Sequence, residues 1–173
     1  MQELCLISPS LKYQAELIAF REEFGEKTNG IPGSGNLIAY PAITDWLAAV
    51  EKNRNKETLT AGLIPAEQYI AMDSNKIIGI LQLRLELNDY LLDFGGHIGY
   101  AIRPTERQKG YGTQMLTLAL KKAKTKQMNK ILITCDDKNL ASAKVIEKIG
   151  GILEDKRFLE DENIIIRRYW IDL

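Results

Sequence analysis

The chain is poor in the residues that hold metals or staple small folds. It has one histidine, His97, and two cysteines, Cys5 and Cys135, among 173 residues. No spacing among these three suits a tetrahedral zinc site, so no metal is expected. Two cysteines in apparent strands cannot build a disulfide framework and fit buried thiols in a reducing compartment. No run approaches the 18 apolar residues of a membrane span, and the first residues, with acidic Glu3 and no basic start, lack a signal-peptide profile. Charge of one sign is also missing: 23 basic residues balance 23 acidic ones. Such neutrality argues against a broad nucleic-acid or membrane footprint and leaves room only for local anion binding. No internal repeat or low-complexity tract is found. The expectation is one soluble, cytoplasmic domain over residues 1–173.

The residues that are present alternate between strand and helix patterns. A short strand around Leu4 and Leu6 precedes a helix over 11–23, with Ser10 as its cap. Gly25, Gly30, Gly33 and Gly35 with Pro32 mark 25–36 as a mobile loop, and a second helix starts at Thr44 or Asp45. Gln68 to Met72 and Ile77 to Leu87 read as a hairpin about the turn 73–76. In it Leu81, Leu83, Leu85 and Leu87 form a buried face, and Gln82, Arg84 and Glu86 a wet one. A strand at 97–103, a helix at 113–126 and a strand at 130–135 form a strand–helix–strand unit, whose two strands run parallel. A further helix near 139–148 and a hairpin at 151–172 close the chain. The fold class is therefore α/β (α+β in some schemes). It has three layers: a mixed central sheet of six to seven strands, with helices on both faces.

The most informative segment is the turn Arg107-Gln108-Lys109-Gly110-Tyr111-Gly112, between the strand at 97–103 and an amphipathic helix. Two glycines let the backbone approach a ligand closely, two cations flank them, and a helix start adds unpaired N–H groups and a positive dipole end. Diphosphate is the guest this arrangement suits. A dinucleotide fingerprint would need a third glycine where Met115 stands, and a phosphate loop of the Walker type would need Lys-Ser/Thr where Thr113-Gln114 follows Gly112. A tight turn capped by Thr113 is the structural alternative.

Two longer patterns surround that turn: I-x-P-x-x-R-x-x-G-x-G at 102–112 and N-x-x-S-x-x-x-x-x-K-x-G at 139–150. With them the chain resembles the GNAT (Gcn5-related) N-acetyltransferase superfamily. The order of H-I-G-Y before the loop and R-R-Y-W-I-D-L at the end resembles a little-characterised bacterial group within it. The resemblance implies acetyl-coenzyme A as donor and an amine of a small molecule or peptide as acceptor, with no nucleic acid and no membrane as partner. It further implies that main-chain N–H groups from Gln108 through Lys109, Gly110, Tyr111 and Gly112 to Thr113 hold the diphosphate beside Arg107. Main-chain groups from Tyr100 to Ile102 would pair with the pantetheine amides along a splayed strand edge, and one N–H there would stabilise the oxyanion. Asn139 would bond the pantetheine arm with Ser142 on the same side; a helix N-cap is the equal alternative for Asn139.

The acid and base are less marked. Family members place a tyrosine seven residues after the asparagine, and that position here is Ile146. His97 titrates near neutrality and heads the donor strand, so it is a candidate base, provided a bulge near Gly99 turns it to the cleft; otherwise it is a satisfied structural histidine. Tyr100 and Tyr169 are candidate proton donors to the thiolate, with core packing as the alternative for each. Two rival functions stand beside acetyl transfer: an acyl-coenzyme A sensor without turnover, which the missing tyrosine favours, and a nucleotide-dependent enzyme. Exposed edge strands would let two copies pair as a homodimer.

Overall fold

Leucine and isoleucine alternation in the middle of the chain builds the centre of the sheet. In the computed structural model, which describes residues 4–173, strands β2 (Ala66–Asp73) and β3 (Lys76–Arg84) pair antiparallel across a two-residue turn. Glu3, on which the signal-peptide expectation drew, lies outside the described residues. β1 (Cys5–Ile7) joins β2, and β4 (Ile98–Ile102) joins β3. Beyond β4 come β5 (Lys130–Asp136), β7 (Ile164–Asp172) and β6 (Ile152–Leu159), giving seven strands in the order β1-β2-β3-β4-β5-β7-β6. Among the described residues only β4 and β5 run parallel.

Helices cover both faces. α1 (Gln14–Glu22) and α2 (Ile43–Arg54) bury Leu17, Phe20, Ile43 and Trp46 against Ile70, Ile80 and Ala101. On the other face α3 (Tyr111–Thr125) and α4 (Leu140–Lys148) bury Met115, Leu116, Ala119, Ala123, Ala143 and Ile146 against Leu81, Leu83, Ile98, Ile131 and Ile133. The i, i+3, i+4 spacing of the α3 residues is the stripe expected of a one-sided helix. Each fully buried aliphatic side chain contributes roughly 1.5–3 kcal/mol, so the two clusters supply the main driving force. Among the described residues no helix is long and apolar enough to cross a membrane.

Four sequence expectations need correction. The first helix begins as a 3-10 turn, Leu11–Tyr13; Ser10 makes no side-chain cap, and Leu11 is exposed. The face of β2 and β3 that carries Gln68 and Gln82 is not wet, because α2 and residues 31–37 lie over it and Gln68 is buried. Residues 25–36 are pinned rather than free: Ile31 and Ser34 are buried, as is Leu37 just beyond, and Trp46 Nε1 donates to Ser34 O at 2.8 Å. Finally, the strand expected to reach Leu87 ends at Arg84, and Leu91–Gly95 beyond it forms a π-helical turn that packs on β5, β6 and β7.

Candidate functional site

β4 and β5 share a single register pair, Ile98↔Ile133, and diverge beyond it. The opposite edge of β4 is fully paired: its register with β3 runs unbroken from Leu83↔Ile98 to Gly79↔Ile102. Flanking bonds Arg84 N to His97 O (2.7 Å) and Arg103 N to Ile78 O (2.8 Å) fix which residues face β3. By the two-residue alternation of an antiparallel ladder, the main chain of Tyr100 and Ile102 then points into the gap toward β5. An open strand edge of that kind can pair with an extended amide ligand. The bulge that would have turned His97 to this gap is absent from the β3–β4 register.

At the top of the gap lies the glycine turn. Gln108 and Gly110 take left-handed conformations, φ 62° and 83°, which swing the chain into α3 at Tyr111. Gly110 is the N-cap, not Thr113, and no side chain caps the helix. Glycine at 110 makes this turn without the penalty a Cβ would bring. The first helical N–H groups have no intrahelical carbonyl by construction. Among the described residues, no protein acceptor meets the main-chain N–H of residues 108–113. Tyr111 anchors the turn from below, its hydroxyl donating to Asp73 Oδ2 at 2.8 Å.

Turn and gap together form a cleft of about 420 Å³. Its lining contains Tyr100, Ile102, Arg107, Gln108, Gly110, Tyr111, Gly112, Thr113, Asn139 and Ser142, so one concavity collects ten of the sequence candidates. Arg107 stretches across it, Nε donating to Ile102 O at 3.3 Å and the guanidinium over the Phe24 ring. Lys109 is not in the lining; its ammonium pairs with Glu106 Oε2 at 2.8 Å. Asn139 caps α4, its Oδ1 accepting from Ser142 N at 3.1 Å. That leaves the Asn139 amide nitrogen for a ligand, and the cap and binding readings are compatible. Across the cleft, the hydroxyls of Tyr100 and Ser142 are 2.7 Å apart. Burial pushes the Tyr100 phenol above its usual range, partly offset by its bond to Ser142, so it stays protonated at neutral pH.

Two candidates lie elsewhere. His97 is buried, and its Nδ1 accepts the Leu132 main-chain N–H at 2.9 Å while its own main-chain N–H donates to Leu132 O at 2.8 Å. Burial, with the nearby positive charge of Arg84, lowers its pKa to about 4. A neutral imidazole whose acceptor nitrogen is occupied stitches β4 to β5 and is not in the cleft lining. Tyr169 is fully buried on β7; its hydroxyl donates to Glu147 Oε1 at 2.9 Å and lies outside the lining as well. Ile146, where family members carry tyrosine, is a core residue with no exposure.

Sequence reading missed three contributors. Glu106 lines the cleft and accepts from both Lys76 (2.6 Å) and Lys109, which holds the turn's shape and keeps its carboxyl below the usual range. Its place inside the motif was its only signal. Phe24 and Pro32 supply apolar walls from the α1 end and the 25–36 loop, and nothing local in the sequence marks them.

This cleft between two diverging parallel strands, closed above by an amide-lined turn, is the architecture of one acyl-transferring class. The chain belongs to the acetyltransferase (GNAT) domain family, whose model matches residues 38–152. No curated protein sequence matches significantly. Solved structures of similar fold include a GNAT-family acetyltransferase from Streptococcus pneumoniae, 17% identical with a TM-score of 0.67, covering 99% of each chain. The microcin C7 self-immunity acetyltransferase MccE, solved with acetyl-CoA and AMP, is 17% identical with a TM-score of 0.69, over 100% of this chain and 94% of that one. The spermidine/spermine N-acetyltransferase SpeG from Vibrio cholerae is 18% identical with a TM-score of 0.65, over 98% and 95%. At these identities the likeness is one of fold.

Proposed function

We propose that the seven strands and four helices act as one N-acetyltransferase unit. It carries acetyl from acetyl-coenzyme A to an amine of a small molecule or peptide by direct attack, in a cytoplasmic setting. The observation that carries this reading is a conjunction: main-chain amides at 108–113 without a protein acceptor, beside the open β4 edge at Tyr100 and Ile102. Diphosphate suits the amides, Gly110 and Gly112 leave it room, and Arg107 stands beside it as a cation. The pantetheine amides suit the strand edge, and the Asn139 amide nitrogen and Ser142 lie along the same wall. A thioester reaching the narrow end of the gap would meet the Tyr100 main-chain N–H, which stabilises charge on the carbonyl oxygen as the amine attacks.

In the step itself the amine nitrogen forms the new C–N bond, the C–S bond breaks, and a proton lost by the amine ends on the coenzyme sulfur. Tyr100, held protonated and bonded to Ser142, is the group within the cleft able to donate to the departing sulfur. It would fill the role that family members give to a tyrosine at the position of Ile146. We assign His97 no part in this, because its acceptor nitrogen Nδ1 is already taken by the Leu132 main-chain N–H.

The test is release of free coenzyme thiol in the presence of an amine panel. Tyr100→Phe should lower kcat by about 10²- to 10⁴-fold, as expected for loss of one acid–base group, with acetyl-coenzyme A affinity unchanged. A fall in affinity with kcat preserved would remove Tyr100 from the chemistry. Binding of acetyl-coenzyme A without thiol release for any amine would favour a sensing module instead.

A further inference from the structure

Both outer strands of the sheet leave an edge unpaired among the described residues, and the two edges differ. β1 offers three residues, whereas β6 offers eight, Ile152–Leu159. The sequence of β6 is Ile-Leu-Glu-Asp-Lys-Arg-Phe-Leu. Laid against its own reverse, it sets apolar on apolar and acid on base throughout. Ile152 falls against Leu159, Leu153 against Phe158, Glu154 against Arg157, and Asp155 against Lys156. Two copies of this strand running antiparallel make that juxtaposition. Leu153 and Phe158 are exposed, as is Ile165 beside Phe158 on β7, so an apolar strip reaches the edge.

Such a match has physical content only if opposed residues share a face and turn their main chain outward. β7 bonds to β5 through its odd-numbered residues: the flanking bonds are Asp137 N to Ile165 O (2.7 Å) and Leu173 N to Asn129 O (2.9 Å). By alternation, Ile164, Ile166 and Arg168 then bond to Leu159, Arg157 and Asp155 of β6. Phe158 therefore turns its N–H and carbonyl outward, and so does Leu153, which is opposite Tyr169. Leu153 and Phe158 also share a face, because their partners Tyr169 and Ile165 are both odd-numbered residues of β7. The bulge between Leu153 and Asp155 makes this possible. In a regular strand, positions an odd number apart point to opposite faces. Glu154, which accepts from Arg168 (2.7 Å) and Trp170 (2.8 Å), lies on the same face as Arg157, whose partner is Ile166. The central Asp155 and Lys156 fall on opposite faces. Each is neutralised within its own chain, by Arg168 and Asp137 respectively, both at 2.8 Å.

We propose that the β6 edge is the contact surface for a second copy of this chain, with β6 pairing to β6 about a twofold axis between Asp155 and Lys156. In that pair Phe158 of each copy meets Leu153 of the other, through main-chain hydrogen bonds and apolar contact. Glu154 of each meets Arg157 of the other on the opposite face. The bulge and Lys156 blunt the edge against unrelated strands, so pairing favours the matching sequence. Twofold pairing consumes both β6 edges and stops at two copies. This contact is independent of the acetyl-transfer reading, because no β6 residue lines the cleft.

Sedimentation equilibrium of the full chain, from micromolar to millimolar concentration, should give twice the chain mass. Phe158→Pro removes an outward N–H that a single chain does not use, and proline is tolerated at such edge positions. It should yield a monomer with an unchanged far-ultraviolet spectrum. Leu153→Glu and Phe158→Lys, both at exposed positions, should each weaken association about tenfold or more. Combined, they oppose glutamate to lysine across the seam and should restore it. These charge variants carry the test should the proline variant fail to fold. An unaltered protein that stays monomeric overturns the proposal. So does a dimer that survives Phe158→Pro and both single charge variants, or a combined variant that associates no more tightly than the singles.

Discussion

Two glycine-bearing loops of this chain look alike in sequence and do opposite things. In the turn at 107–112 Gly110 faces open space, and among the described residues the amides around it line a cleft with no protein acceptor. In the loop at 25–36 a glycine clears space for the protein itself. Gly33, at φ +71°, lies so close to β4 that a β-carbon on it would stand 2.0 Å from Gly99 O. Nothing in composition separates the two. The difference lies in the adjoining chain: a helix start, with its unsatisfied N–H groups, comes directly after Gly110, whereas after Gly35 the chain turns down to bury Leu37 in the cluster that holds Trp46. Glycine announces a close approach without saying to what.

The contrast predicts opposite mutational signatures. Gly33→Ala should have the largest effect, because backbone on both sides must move; a loss on the order of 3 kcal/mol is expected, read as a lower urea midpoint, together with loss of turnover. A variant of unchanged stability would mean the loop does not sit on Gly99. Gly112→Ala should leave stability unchanged or slightly raised, since the new β-carbon meets Val145 at an ordinary 3.5 Å and alanine suits a helix better. Its cost should fall on the ligand, with acetyl-coenzyme A affinity reduced about tenfold or more, roughly 1.4 kcal/mol. A variant that binds as well as the original would argue that diphosphate does not approach at 112.

A pH-dependent effect concerns His97, which belongs to the protein-facing part of the molecule. Its folded pKa of about 4 lies below the ordinary histidine value of 6.5, so the unfolded chain binds the extra proton first as pH falls. The neutral histidine therefore contributes stability that is fully present above pH 6.5 and is lost as pH drops toward 4. Thermal midpoints of the unaltered protein should fall more steeply over that window than those of His97→Gln. Parallel curves would show that burial does not hold the imidazole neutral.

Much of this was legible beforehand because the relevant signals are local. The α3 stripe of Leu116, Ala119 and Ala123, the C-terminal hairpin and the strand–helix–strand unit depend on periodicities of 3.6 and 2 that survive folding unchanged. The donor turn was legible for the same reason, since its glycines, cations and helix start are consecutive. Tyr169 and His97 were harder. Both are polar residues at strand positions beside the site, and whether such a residue faces a cleft or a core depends on register and on what covers each face. The bulge expected at Gly99 is not there, and Glu147 and Leu132 take up the groups that would otherwise have been free. Arg84 was read as part of a wet face, because the segments that cover that face come from distant parts of the chain.

The central claim is that the main-chain amides of residues 108–113 receive the diphosphate of acetyl-coenzyme A. Titrating labelled protein with acetyl-coenzyme A and monitoring backbone amide resonances tests it most directly. Large, saturating shifts are expected at Gln108 to Thr113, with smaller ones at Tyr100 and Ile102. Saturable binding that leaves the 108–113 amides unmoved, or no binding at millimolar coenzyme, would contradict it.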